Sequence, residues 1–590
     1  MKDFFKFMFA SMLGFFIMSI LVFLIFMGII TSFATMMEDK ETTVAENTLL
    51  KIDLTSPVID RTSKDPFSAF NPMTMEATKS IGLNDIIKNL DKAARDPKIA
   101  GIYLNLTSLQ AGMATVEEIR KALVDFKTSG KFVYAYSEYY SQGAYYLAST
   151  ADEIYLNPEG AVDFKGLSAE LMFFKETLEK LDAEMQIIRH GKFKSAVEPF
   201  MLEKMSPENR EQMMAIVDGI WIRITQAVSE SRNISLDKLN DYADNLALNT
   251  AKDAQELGFV DGLKYYDEVL DELKTKLGIE KDKDIESVSL AKYTSAADPS
   301  EKRPDHKNRI AVVYAIGEIV SGEGSDEVIG SDRIAKAIRQ VRKDDKVKAI
   351  VMRVNSPGGS ALASDVILRE VKLAAAEKPF IVSMGNVAAS GGYYISCAAD
   401  KIYADPTTIT GSIGVLGMIP NLEETMKNKL GITFDYVQTN ANSIMSINKP
   451  LTEFQKDVIL KSIEDIYGTF VNHVAEGRDM TYEAVDAIGQ GRVWIGSDAL
   501  ELGLVDEMGG LDEAIQAAID ETGLENWSIK EYPEQKDPIE ELFNELFGQA
   551  AVDAKIKAEL GENYRFYQQL RYWQNARGVQ ARMPFDIYIN

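Results

Sequence analysis

VSMGNVAASGGYYISCAAD, residues 382–400, and YAYSEYYSQGAYYLASTAD, residues 134–152, are two versions of one segment. The later version sets Ser390 before Gly391-Gly392. The earlier one has Gln142 there, an offset of 390 − 142 = 248 residues. The same offset lays LNDIIKNLDKAARDPKIAGIYLNL (83–106) on SDRIAKAIRQVRKDDKVKAIVMRV (331–354) without a gap. Lys98 meets Lys346, Ser108 meets Ser356, Phe132 meets Phe380, and Gly143, Tyr145, Tyr146, Ala151, Asp152, Ile154, Tyr155 and Pro158 each meet their own type. Further on, AQELGFVD (254–261) meets ALELGLVD (499–506), an offset of 499 − 254 = 245. A unit of about 250 residues is far longer than a solenoid repeat and marks a duplicated domain.

Within each copy, short apolar stretches alternate with segments of helical spacing. In the second copy RIAVVYAIG reads as a strand, DRIAKAIRQVRKD as a helix, AIVMRV as a strand, ASDVILREVKLAAAE as a helix and FIVSM as a strand. Buried strands alternating with helices predict an α/β domain with parallel pairing. The expected organisation is a repeat over 47–290, a polar proline-containing linker over 291–308, a second repeat over 309–535 and a helical extension over 536–590. The extension contains the aromatic-rich KIKAELGENYRFYQQLRYWQNARG and has no counterpart in the first copy.

The 590 residues are too many for one core. Lysine and arginine number 64 against 90 acidic residues, a net charge of −26. That balance argues against nucleic-acid binding, which needs a basic patch. The single cysteine, Cys397, excludes an intramolecular disulfide and leaves no cysteine cluster for a metal. No metal and no cofactor are expected, and Cys397 reads as a buried small hydrophobe. At the other end, no charge interrupts Phe7 to Met37. That run exceeds the ~20 apolar residues a membrane-spanning helix needs, and a signal-peptide core is only ~7–15. Residues 8–34 are therefore expected to form an uncleaved anchor. Lys2 and Lys6 precede it and Glu38-Asp39 follow it, which leaves residues 1–7 cytoplasmic and the repeats outside the inner (plasma) membrane.

Two features belong to the second copy alone. In RVNSPGGSALASD (353–365) a strand enters Ser-Pro-Gly-Gly before a helix. Paired glycines permit backbone conformations that leave N–H groups facing a cavity, as an oxyanion site requires. The other feature is Ser390 at a helix start, with the Gly391 N–H beside its hydroxyl. Each alone reads as an ordinary turn or N-cap. Together they are absent from the first copy, which has Gln110-Ala111 for Gly358-Gly359 and Gln142 for Ser390. Capping details have no reason to vanish as a pair, whereas a nucleophile and its oxyanion hole do. The base is then sought elsewhere. Of three histidines, His190, His306 and His473, His306 is in the linker and His473 sits on a helix of mixed polarity, with no acid–histidine constellation near either. The first copy carries RHGKFKSAVEPF (189–200), with Lys194 opposite Asn442 and apolar Phe193, Ala196, Val197, Pro199 and Phe200 around it. One copy holds the serine without the lysine and the other the lysine without the serine. A desolvated lysine can act as a base.

NSPGG, MGNVAASGGYYIS, DPTTITGSIGV and KFKSAVEPF together resemble the signal peptide peptidase SppA (protease IV) family, the long, duplicated form of the membrane-anchored S49 serine peptidases. The resemblance spans nearly the whole chain. It implies two tandem Clp-protease/crotonase-like domains and a serine–lysine dyad, with Ser390 as nucleophile and Lys194 as general base. It also implies oxyanion donors at the Gly358 and Gly391 N–H groups. Ser412, in TGSIG, faces Phe164 of the first copy and is expected to orient the lysine amine. The implied substrates are released signal peptides and other apolar peptides, and the implied assembly is a homotetramer at the bilayer. Asn386 stands where relatives often carry aspartate. Two rival readings remain at this point: a crotonase-like acyl-CoA enzyme, and a catalytically dead membrane scaffold of the same fold.

Overall fold

The structure, a computed structural model, describes residues 6–7, 12–21, 24, 42–63, 70–71, 76–77, 80–299, 307–535 and 580–582. Residues 12–21 are helical, and the rest of the expected anchor over 8–34 lies almost wholly outside the described residues. No helix among the described residues is long and apolar enough to cross a membrane.

Each repeat is built on a parallel sheet with the same strand order. In the first repeat the strands run Gly262–Leu263, Glu153–Val162, Phe132–Tyr140, Ile99–Asn105, Thr48–Ile52, Ser287–Ser289, every neighbour parallel. In the second, Glu507–Met508 pairs Lys401–Ala404, which pairs Phe380–Ala389. The sheet then continues through Val347–Ser356 and Arg309–Ile316 to Ser528–Tyr532, all in parallel. Ile409–Gly411 adds to Phe380–Ala389 in parallel, and Val493–Ile495 closes that end in antiparallel register. Central strands of a parallel sheet are covered on both faces and read as continuous apolar runs. Ala349 to Val354 fits this rule, and Arg353, fully buried among aliphatic residues, is its one exception.

Three predicted helices form on the expected residues, at Ser331–Lys343, Ala361–Ala375 and Gly391–Ser396. Residues Leu290, Tyr293 and Ala296, read above as the linker and its approach, pack into the first core, and Lys92 Nζ donates to the Tyr293 and Ala296 carbonyls.

A third sheet joins the repeats. Its order is Val328–Gly330, Glu318–Val320, Gly358–Ser360, Gln580–Arg582, Leu416–Asn421, Glu184–Arg189. Six antiparallel pairs, from Leu416 with Arg189 to Asn421 with Glu184, bring a strand of the first repeat onto the second. The predicted C-terminal helix lies outside the described residues. Where the extension reappears, Gln580–Arg582 is strand and not helix. It pairs antiparallel with Gly358–Ser360 and meets Leu416 on its other side. An unpaired ladder edge on each side gives these backbone groups partners that a helix there would forgo.

Candidate active site

The strand Phe380–Ala389 ends in Ser390, whose φ of 56° and ψ of −114° are foreign to an L-residue. Strain of this kind costs roughly 1–3 kcal/mol and persists only where the surroundings impose it. Here Ser390 N donates to the Gly411 carbonyl, and the Ser390 carbonyl accepts from Tyr394 N. The ordinary N-cap reading does not hold, because the Ser390 side chain makes no capping hydrogen bond. In the first repeat the matching helix starts on a regular cap: Ser141 is extended, and its side chain accepts from Ala144 N. Gln142, at the place of Ser390, accepts from Lys165 N and Gly166 N and donates to the Gly166 carbonyl. An amide plug thus fills the first repeat where the second presents a hydroxyl.

Lys194 reaches Ser390 from the first repeat. The strand Glu184–Arg189, held on Leu416–Asn421, directs the following turn into the second repeat. Lys194 Nζ lies 2.7 Å from Ser390 Oγ, 3.0 Å from Ser412 Oγ and 3.1 Å from the Ser412 carbonyl. Lys194, Ser390 and Ser412 are all completely buried. Lys192, two residues earlier, is exposed. Ser412 donates onward to the Gly491 carbonyl at 3.3 Å, and its own φ is 51°. Lys194 Nζ donates to Ser390 Oγ and to both oxygens of Ser412, so all three contacts converge on the amine.

The lysine is positioned by residues that carried no signal in the sequence. Arg189 NH1 donates to the Lys194 carbonyl at 3.1 Å. Gln212, on the long helix Pro207–Arg232, donates to the Phe193 carbonyl and Ser195 Oγ and accepts from Val493 N, tying the lysine turn to both repeats. Buried Glu198 accepts from the backbone and hydroxyl of Ser206 and from Asn209, which fixes the turn after Ser195–Val197. Gly491, at φ 84°, lies against the lysine stem, where an added Cβ would be 2.6 Å from Lys194 Cβ. One on Gly414 would lie 3.3 Å from Lys194 Cδ. Only glycine leaves that channel open. Each of these contacts joins segments far apart in the chain, so no local pattern announces them.

Gly358, at φ 101°, does not face an empty space as the sequence predicted: its N–H donates to Ser356 Oγ at 3.1 Å. Gly391 is buried at the first position of its helix. A Cβ on Gly392 would lie 2.6 Å from the Ser356 carbonyl, so the two turns approach as closely as backbones can. Asn386 accepts from Thr115 N and donates to Thr115 Oγ1, capping a helix of the other repeat. His190 stacks on Tyr467, and His473 meets Lys372 and Asp365 on the surface. His306 lies outside the described residues. Burial pushes the Cys397 thiol up to about 12. Among the described residues there is no group of histidine, cysteine and carboxylate side chains able to hold a metal ion.

Comparison with known proteins follows the same lines. The model of peptidase family S49 matches residues 125–280 and 372–525, once in each repeat. Protease 4 of Haemophilus influenzae is 40% identical over 449 residues, 75% of this chain and 73% of that protein. Protease 4 of Salmonella typhi is 38% identical over 495 residues, 81% of this chain and 79% of that one. The chloroplastic serine protease SPPA of Arabidopsis thaliana is 35% identical over 444 residues, 74% and 65% respectively. Among solved structures, a ClpP1 mutant from Listeria monocytogenes overlays 35% of this chain and 94% of its own at 17% identity and a TM-score of 0.24.

Proposed function

The chain belongs to peptidase family S49 and is a serine peptidase, and on that premise we propose that it cleaves peptides with a dyad of Ser390 and Lys194. The observation that carries this reading is the 2.7 Å contact between Lys194 Nζ and Ser390 Oγ, made within one chain and across its two repeats. Burial works against the ammonium form of Lys194 and favours a neutral amine. That amine takes the Ser390 proton as Oγ attacks the scissile carbonyl, and Ser412 holds it in line. The Gly391 N–H stabilises the oxyanion together with Gly358, whose N–H is released when substrate displaces Ser356 Oγ. The protonated lysine then gives its proton to the leaving amine. Water, deprotonated by the same lysine, frees the acyl group from Ser390.

The antiparallel seat of Gln580–Arg582 on Gly358–Ser360 supports an extended substrate held by main-chain hydrogen bonds beside the nucleophile. We assign each repeat to the Clp-protease/crotonase-like class, with the first repeat extended past residue 290 to take in Tyr293 and Ala296. We further infer that residues 8–34 anchor the enzyme in the inner membrane as a homotetramer, with both repeats outside the cytoplasm. Its substrates are then cleaved signal peptides and other apolar peptides. The test is labelling by a serine-reactive peptidyl probe in wild type and Ser390→Ala. Label on wild type alone is expected. Label on both proteins would remove Ser390 as the nucleophile, and label on neither would count against the Ser390–Lys194 dyad.

A further inference from the structure

The strands that lead to the two turns of the site part company just before it. Val354 pairs with Met384, and the next pair is Ser356 with Ala388. Asn355 alone therefore stands opposite Gly385, Asn386 and Val387. Its side chain fills that gap: Oδ1 accepts from Val387 N at 3.2 Å, and a Cβ on Gly385 would lie 3.0 Å from Asn355 Cγ. The Asn355 amide is oriented from outside the sheet. Nδ2 donates to Asp60 Oδ2 at 2.5 Å, and Asp60 belongs to the first repeat. The other oxygen of Asp60 accepts from Arg353 Nε at 2.8 Å. Arg353, fully buried, also donates to Ser383 Oγ and the Met384 carbonyl on the neighbouring strand, and to Glu118 of the first repeat. Asp60 thus holds Arg353 and Asn355 of one strand, and each of these also bonds the neighbouring strand, a few residues before Ser356–Gly359 and Ser390.

We propose that Asp60 is a positioning residue for peptide cleavage: through Asn355 and Arg353 it sets the distance between the Ser356–Gly359 turn and the Ser390 turn. This rests on the reading that those turns supply the oxyanion donors and the nucleophile. Two observations separate it from a plain stabilising contact. A buried ion pair contributes little net stability compared with apolar residues of similar size. The copy without the nucleophile also lacks the clamp, since the 248-residue offset places Asn105 at Arg353 and Thr107 at Asn355. Asn105 is only half-buried and donates to exposed Asp53, just past the end of the neighbouring strand Thr48–Ile52. The clamp occurs in the copy that must hold two turns in register for chemistry.

The hydrogen-bond pattern supplies its own test. Asp60→Asn sets a donor against the Asn355 or Arg353 donor. Asn355→Asp sets two carboxylates face to face. The double variant, Asp60→Asn with Asn355→Asp, restores every donor to an acceptor and keeps the total charge. Each protein is purified as the full-length oligomer in detergent, and kcat and KM are measured on an apolar fluorogenic peptide, with melting temperature beside them. Misplacing catalytic groups by about 1 Å can cost ~100-fold. Each single variant should therefore lose roughly 10- to 100-fold in kcat with KM little changed. The swap should recover most of that loss. Singles that melt early but turn over normally would overturn the proposal. So would a folded swap as slow as the singles, or singles that never fold beside a fully active swap, because the pair would then be a folding contact. Ser390→Ala is measured in parallel. If it keeps activity, the catalytic reading itself fails; if it is inert while the singles are normal, only the positioning role fails.

Discussion

Replacing Lys194 by methionine separates the chemistry of the site from its packing. The lysine stem is enclosed on two sides by Gly414 and Gly491 and has no room to grow. Methionine is unbranched, follows the same path and fills such a channel without strain. Its thioether takes no proton at usable pH. In Lys194→Met the buried Ser390 hydroxyl and the Ser412 carbonyl lose the amine, at ~1–3 kcal/mol for each unsatisfied group, while the Ser412 hydroxyl keeps the Gly491 carbonyl. Relief from burying the amine offsets part of that cost. The net effect should be a shift of only a few degrees in Tm.

The rate should respond quite differently. A positioned general base contributes ~10²–10⁴-fold, and losing one member of a coupled pair costs more still. The expected fall in kcat/KM is at least about 10³-fold, or ~4 kcal/mol at 1.36 kcal/mol per decade. Lys194→Arg should be as inactive, since a guanidinium stays charged and is too bulky for the glycine channel. Exposed Lys192→Met is the control and should keep near-normal turnover. The assay is cleavage of a fluorogenic apolar peptide in detergent, followed against pH. The base works only when deprotonated, so wild-type activity should rise with pH, and the residual activity of Lys194→Met should not follow that curve. A folded Lys194→Met enzyme within tenfold of wild type would refute the reasoning.

Gly491→Ala places a methyl 2.6 Å from Lys194 Cβ at a φ of 84°. It should lower kcat by ~100-fold through a displaced amine, and normal turnover by the folded variant would show that the channel has slack. Removing residues 580–590 empties the ladder position against Gly358–Ser360; KM for an extended peptide should fall while kcat holds, and an unchanged KM would mean that the tail does not compete. Native Cys397, buried and with its thiol pushed up to about 12, should resist iodoacetamide at pH 8 and react fully once the protein is unfolded. Rapid alkylation of the native enzyme would contradict the packing around Gly391–Ser396.

Much of this molecule is legible in one dimension, because duplication leaves a constant offset between residues of the same type. That offset revealed the two repeats and the separation of Ser390 from Lys194, while the alternation of apolar runs with helical spacing revealed the parallel α/β class. It also exposed Gln142, whose identity said that the first copy had lost a hydroxyl but not that an amide now plugs the place. Chain folding decided the rest. Lys192 and Lys194 are equivalent in local pattern, and only the pairing of Glu184–Arg189 with Leu416–Asn421 buries one and leaves the other in water. Whether a serine before glycine is a helix cap or a strained hydroxyl facing an amine depends on its φ, which the Gly411 carbonyl and the lysine turn impose from elsewhere. Gln212, Gly491, Asp60 and the strand at Gln580–Arg582 have no periodicity to betray them. Their meaning lies in contacts across long loops, and such contacts exist only once both sheets have formed and the third has joined them.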